Sequence, residues 1–166
     1  MKPFIQNKKD IVFYNDNIVT KVKNLAKKTN NKRARVCVHQ SMASKTNEMI
    51  IALKKGSYIR PHMHPYNKSE SYHVIQGKMD VYIFSRNGKK IKVIHMGDYK
   101  SKLNFFYRMS KSYFHIPIAV SEWCVYHEVY SGPFKKNKDV KYAKWSPEEN
   151  NKIQVNEFLK KIGYKY

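Results

Sequence analysis

The chain has 166 residues, 42% of them hydrophobic, and a formal net charge of +21. This length suits one domain with a real core, and no apolar run is long enough to cross a membrane. Two cysteines, Cys37 and Cys124, cannot form a disulfide framework, and the first ten residues lack the apolar segment of a signal peptide. We therefore expect a cytoplasmic protein whose two thiols are free and buried.

The strong positive charge has more than one interpretation. Lys outnumbers Arg and is spread along the chain rather than gathered in one stripe, which favours a compositional origin. A basic surface would also attract phosphorylated ligands, including nucleotide sugars. Nucleic acid is the least favoured partner, because the chain contains no recognised nucleic-acid-binding motif.

Residues 1–32 are predicted to form an N-terminal extension with one strand and one helix. The strand is expected at 11–14, and Asp16-Asn17 can cap a helix that runs to about Lys28. The helix is predicted from apolar residues that recur at helical spacing, namely Ile18, Val19, Val22, Leu25 and Ala26.

Residues 33–145 are predicted to form the main domain, because short strand-like runs alternate there with turn signals. The runs are 35–39, 48–54, 71–76, 79–85, 91–95, 105–108, 113–118 and 123–130. Asn87-Gly88 lies between two of them and is typical of a tight hairpin. This pattern predicts an antiparallel sandwich or barrel.

Residues 146–166 are predicted to be a C-terminal helix packed on this domain. Ser146-Pro147-Glu148-Glu149 supplies a capping Ser, Pro at the first helical position and Glu at the third. An apolar stripe at helical spacing follows, made of Val155, Phe158, Leu159 and Ile162.

The stretch from Gly56 to Gly77 carries the most specific chemical signal. His62 and His64 are separated by one residue, so in an extended chain both side chains point to the same face. Glu70 follows closely enough to reach them. Two imidazoles and a carboxylate suit one divalent transition metal ion such as Zn, Fe, Mn or Ni. The sequence therefore predicts a metal site and favours an enzyme.

The spacing G(X)5HXH(X)5E(X)6G resembles the first motif of the cupin superfamily, with a slightly longer turn before the Glu. Over roughly residues 33–149 the chain also resembles the WbuC family of cupin-fold metalloproteins. The segments that carry this resemblance are Arg33-Ala-Arg-Val-Cys-Val-His39, Ser69-Glu-Ser-Tyr-His-Val, Ser121-Glu-Trp, Tyr126-His-Glu and Gly132-Pro-Phe. The resemblance implies a mainly β fold, a cupin-type antiparallel β-barrel (jelly roll) with an N-terminal and a C-terminal helix. It also implies a possible homodimer.

The second cupin motif contributes one more histidine ligand, and the resemblance places His115 in that position. The Pro-x-Gly that usually precedes it is replaced by Ser110-Lys111-Ser112. The expected metal ligands are then His62, His64, Glu70 and His115. This set would leave one or two open positions on an octahedral ion for water or substrate.

Other polar and aromatic residues are candidates for contact with a substrate. Arg35 and His39 are four residues apart on a strand, so they share a face, and the pair resembles a family feature. Arg60 could clamp an anionic group or form a surface ion pair. Tyr58 could stack on a sugar ring or belong to the core.

The candidates for proton transfer are His39, Tyr72 and His127. His127 could alternatively orient a metal ligand together with Glu128. His73 is expected to face away from Tyr72, and His95 is expected to be exposed on a hairpin.

The WbuC resemblance implies a role in the synthesis of O-antigen and other surface polysaccharides. The leading hypothesis is a metal-dependent enzyme that isomerises or epimerises a sugar or sugar nucleotide. One alternative is an Fe(II)-dependent small-molecule dioxygenase with the same ligands. Another is a non-catalytic module that binds a sugar or a metal.

Overall fold

The computed structural model describes residues 3–164, and within them eleven strands form two facing sheets. The strands are β1 (Phe4–Gln6), β2 (Arg33–Cys37), β3 (Thr46–Lys54), β4 (His62–Met63), β5 (Glu70–Gln76), β6 (Lys78–Phe84), β7 (Lys90–Gly97), β8 (Phe106–Met109), β9 (Phe114–Ala119), β10 (Trp123–Ser131) and β11 (Lys141–Tyr142). One sheet has six strands in the order β1-β2-β3-β10-β5-β8, and the other has five in the order β11-β4-β9-β6-β7. All pairings are antiparallel except that of β1 with β2.

Each sheet has one face against the other sheet and one face covered by a helix. The helices are α1 (Asn17–Lys27), the short α2 (Lys136–Asp139) and α3 (Lys152–Lys161). Val22 and Ala26 of α1 are fully buried against the outer face of the six-stranded sheet. Val155 and Leu159 of α3 pack on the outer face of the five-stranded sheet. The helical spacing of these apolar residues is therefore explained by tertiary burial.

The core between the sheets follows from the two-residue period of the strands. In β6, Met79 and Val81 belong to the core between the sheets, whereas Tyr82 and Phe84 belong to the cluster around α3. The predicted jelly-roll architecture with a helix at each end is confirmed, although the two sheets form a sandwich and not a closed barrel. Each of the eight strand-like runs overlaps an observed strand.

Two predicted elements near the ends of the chain are wrong. Residues 11–14 form no strand, and Phe13 is 89% exposed, so this segment has no partner strand among residues 3–164. The first strand is β1, which pairs with β2 instead.

The C-terminal helix begins at Lys152 and not at Ser146. Asn151 is its N-cap, and the Asn151 side chain accepts a hydrogen bond from the Gln154 backbone. Glu149 lies before the helix and binds the Arg33 guanidinium at 3.0 and 2.9 Å. Glu148 and Glu149, which the local pattern assigned to the first turn of the helix, instead form long-range ion pairs with Arg60 and Arg33.

Two expectations drawn from composition can be compared with the structure. Cys37 and Cys124 are free and buried, as predicted. Within residues 3–164 we find no helix with the length and apolarity needed to cross a membrane.

Candidate metal centre and cavity

Three histidines converge at one end of the space between the sheets. His62 lies on β4, directly opposite His115 on β9, and His64 follows two residues later on the same face. One nitrogen from each ring lies within 4.8 Å of the other two. His115 is fully buried and His64 is 8% exposed, whereas His62 is partly open to the cavity between the sheets. The three residues can therefore hold one metal ion.

Backbone hydrogen bonds orient all three imidazoles in the same way. In each ring Nδ1 lies near a backbone carbonyl oxygen, which can only accept a hydrogen bond, so Nδ1 carries the proton. The pairs are His62 with Arg60 at 3.1 Å, His64 with Asp139 at 2.6 Å and His115 with Tyr113 at 3.2 Å. Each Nε2 then holds a lone pair, which is the state that metal coordination requires.

Glu70 reaches this cluster from the opposite sheet. Its carboxylate oxygens lie 2.9 Å from His115 Nε2 and 3.2 Å from His64 Nε2. Such separations of roughly 3 Å are usual for atoms that share one ion, because each metal–ligand distance is about 2 Å. Within residues 3–164, Glu70 Oε1 and His115 Nε2 are both buried without a hydrogen-bond partner. A metal ion would satisfy these two atoms, so the donor set fits one.

The charges of the cluster depend on one another. Burial acts to raise the pKa of Glu70, but His115 and His64 outweigh it and hold that pKa below its usual range. Burial also acts to lower the pKa of His64, but the Glu70 carboxylate beside its Nε2 raises it overall. Burial and the other two imidazoles lower the pKa of His62 well below its ordinary value. Glu70 therefore stays ionised and His62 stays neutral.

A cavity of about 620 Å³ extends from the histidines to the protein surface. Its walls include four tyrosines, Tyr72, Tyr126, Tyr130 and Tyr142. Its outer lining includes three exposed basic side chains, Lys28, Arg35 and Lys136. Aromatic and cationic groups together suit a small polar ligand that has a ring or an anionic group.

The structure places some predicted substrate-contacting residues in this cavity and others outside it. Arg35 and His39 both line it, and His39 is 7% exposed with Nδ1 held by the backbone of Glu48. Tyr58 and Arg60 do not line it. Tyr58 donates a hydrogen bond to the Pro147 carbonyl in the cluster beneath α3.

The Arg60 side chain contacts the segment before α3. Its guanidinium forms an ion pair with Glu148 and donates to the Ala143 carbonyl at 3.0 Å. The guanidinium also lies over the aromatic ring of Tyr142, with the Arg60 Cζ 5.5 Å from the ring centroid. The ion pair that sequence reasoning left as the alternative is the arrangement observed, and its role is to hold the segment before α3.

Two candidates for proton transfer lie on opposite faces of the six-stranded sheet. Tyr72 faces the cavity and donates a hydrogen bond of 3.1 Å to Glu70. His127 faces outward, opposite His73 on β5 and 3.5 Å from Glu48, and it is not among the residues that line the cavity.

Sequence reasoning named Glu128 only as a companion of His127, whereas the structure places Glu128 in the cavity lining beside Tyr126 and Tyr130. These three residues alternate along β10, so they share a face that excludes His127. The alternation could have been counted in the sequence. Sequence reasoning instead chose His127, because histidine is the more common proton-transfer group, and His127 lies on the outer face of the sheet.

The structural comparisons agree on the fold. The chain is similar to an oxalate oxidase solved with the substrate analogue glycolate, with a TM-score of 0.51, 12% identity and coverage of 79% of this chain and 74% of that one. It is similar to an uncharacterized conserved protein with a double-stranded β-helix domain from Klebsiella pneumoniae, with a TM-score of 0.50, 17% identity and coverage of 70% and 83%.

Protein SO0799 from Shewanella oneidensis gives a TM-score of 0.50 at 12% identity, and the match covers 60% of this chain and 63% of that one. Identities this low show the fold alone, which is a double-stranded β-helix. No curated protein matches the sequence. The model of one family, described as a domain of unknown function, matches residues 14–96, which is half of the chain. The chain therefore belongs to the DUF6016 family.

Proposed function

We propose that this protein is a metal-dependent cupin enzyme that isomerises or epimerises a sugar or sugar nucleotide. The observation that carries the proposal is the common orientation of three histidines, each with Nδ1 at a backbone carbonyl. Three lone pairs that point to one place repel one another. A divalent cation bound between the three Nε2 atoms would make this arrangement favourable.

The ligands of the ion would be His62, His64, His115 and Glu70. A divalent ion there would act as a Lewis acid that polarises a carbonyl or hydroxyl oxygen of the substrate. The cavity residues would bind the rest of the molecule and exclude water. Tyr72 would hold Glu70 in position through its 3.1 Å hydrogen bond.

The lining of the cavity supports a carbohydrate substrate. Tyrosine rings offer flat apolar faces for a sugar ring, and their hydroxyl groups offer hydrogen bonds. The basic side chains at the outer end, Arg35 among them, would attract a phosphate or diphosphate group. The resemblance to the WbuC family supports a place in surface-polysaccharide synthesis, and we extend the proposal to that process in the cytoplasm.

Elemental analysis of the purified protein tests the metal centre. We expect about one equivalent of a transition metal in the wild type and little in His64→Ala. His73→Ala is the matched control, because His73 lies on the outer face of the six-stranded sheet. This substitution should leave the metal content unchanged. Equal metal content in wild type and His64→Ala would overturn the centre.

Solvent-isotope exchange tests the reaction. In D₂O, an isomerase or epimerase that removes a proton next to a carbonyl should place deuterium in its substrate. A panel of sugars, sugar phosphates and nucleotide sugars can be screened by mass spectrometry with the metal-loaded protein. Iron in the protein together with oxygen consumption would favour the dioxygenase alternative. Ligand binding without exchange or turnover would favour the non-catalytic module.

A further inference from the structure

One carboxylate inside the cavity is not explained by the metal ligands. Glu128 lies on β10 directly opposite Tyr72 of β5, and Tyr130 lies directly opposite Glu70. Glu128 and Glu70 are therefore diagonal neighbours on the same face of the sheet, at a typical separation of roughly 7–8 Å. The register thus places Glu128 beside the metal centre and within the lining of the cavity.

The carboxylate of Glu128 has no partner that would explain its position. Within residues 3–164, no hydrogen bond or ion pair joins this carboxylate to another group. Its oxygens are not among the enclosed unpartnered atoms, so they are open to the cavity. A half-buried carboxylate that lines a cavity and has no protein partner is available to bind a ligand there.

The groups around Glu128 set its protonation. Burial, followed by the negative charge of Glu70, raises the pKa of Glu128 to about 7, while His64 and Arg35 act in the opposite direction. The titratable or charged groups that face it are Arg35 and Cys37 on β2, Glu70 and Tyr72 on β5, His64 after β4, and Tyr126 and Tyr130 on β10. A carboxyl group in this environment can both release and accept a proton near neutral pH.

We propose that Glu128 is the catalytic acid–base of the cavity, which accepts a proton from a ligand at the metal centre and returns it. This inference rests on the proposed function. It assigns the proton transfer to Glu128, which lies outside the Gly56–Gly77 motif, in place of His127, which faces outward.

The proposed transfer balances without another reactant. Glu128 accepts the proton when the C–H bond next to the substrate carbonyl breaks, and the bonding electron pair moves towards the carbonyl oxygen. In an aldose–ketose isomerisation, Glu128 returns that proton to the former carbonyl carbon. The proton of the adjacent hydroxyl group moves to the former carbonyl oxygen, so that the hydroxyl oxygen becomes the new carbonyl oxygen. No electrons leave the substrate, so no oxidant or reductant is required.

Acetohydroxamic acid provides a test that needs no knowledge of the substrate. This weak acid chelates zinc as its anion, so it loses one proton on binding, and any hydroxide that it displaces from the zinc takes up one proton. In the zinc-loaded wild type at pH 8, we expect Glu128 to retain the proton that the acid loses. Calorimetric titrations in two buffers with different ionisation enthalpies count the protons exchanged with the buffer. In Glu128→Gln we expect about one proton more released to the buffer than in the wild type, and at least tenfold weaker binding.

Glu48→Gln is the control, because Glu48 lies on neighbouring β3 and meets His127 on the outer face. It should behave as the wild type. A zinc-loaded wild type that releases a full proton would overturn the assignment even if the Gln variant failed to fold. So would a zinc-loaded wild type that binds no hydroxamate. A protein that takes up no zinc would overturn the proposed function first, and elemental analysis separates that outcome from the others.

Discussion

Replacing Glu128 with Gln should stabilise the metal-free protein, and more so as pH rises. The pKa of Glu128 is about 7 in the folded chain against an ordinary value of 4.5. Because the folded value is the higher one, the folded state binds more protons between these two pH values. The wild type therefore loses stability as pH rises from about 4.5 to 7, and Gln cannot ionise.

The size of the effect follows from the difference between the two pKa values. A difference of about 2.5 corresponds to about 3 kcal/mol in the free energy of unfolding. This is an upper limit, because Glu128 is only half-buried and solvent screens its charge. We expect Glu128→Gln to gain about 1–3 kcal/mol over the wild type between pH 5 and pH 8.

Urea unfolding in the presence of a chelator at both pH values measures this difference. The chelator keeps both proteins free of metal, so the comparison concerns the side chain at position 128 and its neighbours. Glu157→Gln makes the same chemical change on the exposed side of α3 and should leave the free energy of unfolding nearly unchanged, as surface substitutions usually do. A stability difference between Glu128→Gln and wild type that is the same at pH 5 and pH 8 would refute the reasoning.

Three further predictions concern the metal centre and the fold. Acidification should release the metal cooperatively as the histidines gain protons, so metal retained at pH 4 after dialysis would contradict histidine ligation. Arg60→Ala should lower the free energy of unfolding by about 1–3 kcal/mol, because it removes the hydrogen bonds that hold the segment before α3. It should leave the metal content unchanged, so a loss of metal would contradict this structural role. Leu159→Ala should cost about 2–5 kcal/mol in thermal or urea unfolding, because Leu159 is 1% exposed. Ile153→Ala is the matched control at 74% exposure and should be nearly neutral, so equal losses would contradict the packing of α3.

Local sequence patterns determined much of this structure. The two-residue alternation predicted eight strands, and helical spacing predicted α1 and most of α3. The His-x-His spacing was sufficient to bring His62 and His64 together, because alternation along an extended chain is a property of the backbone. The short strands β1, β4 and β11 were not predicted, because two or three residues cannot show a period.

Tertiary structure decided which groups face one another. Strand register placed Glu70 against His115 from the opposite sheet, and it turned Glu128 into the cavity while His127 faced outward. A long-range ion pair joins Arg60 to Glu148, outside the cavity lining. A local pattern specifies the period of an element but not its partner. The partner is selected by burial and charge compensation between residues distant in sequence, and these depend on the whole fold.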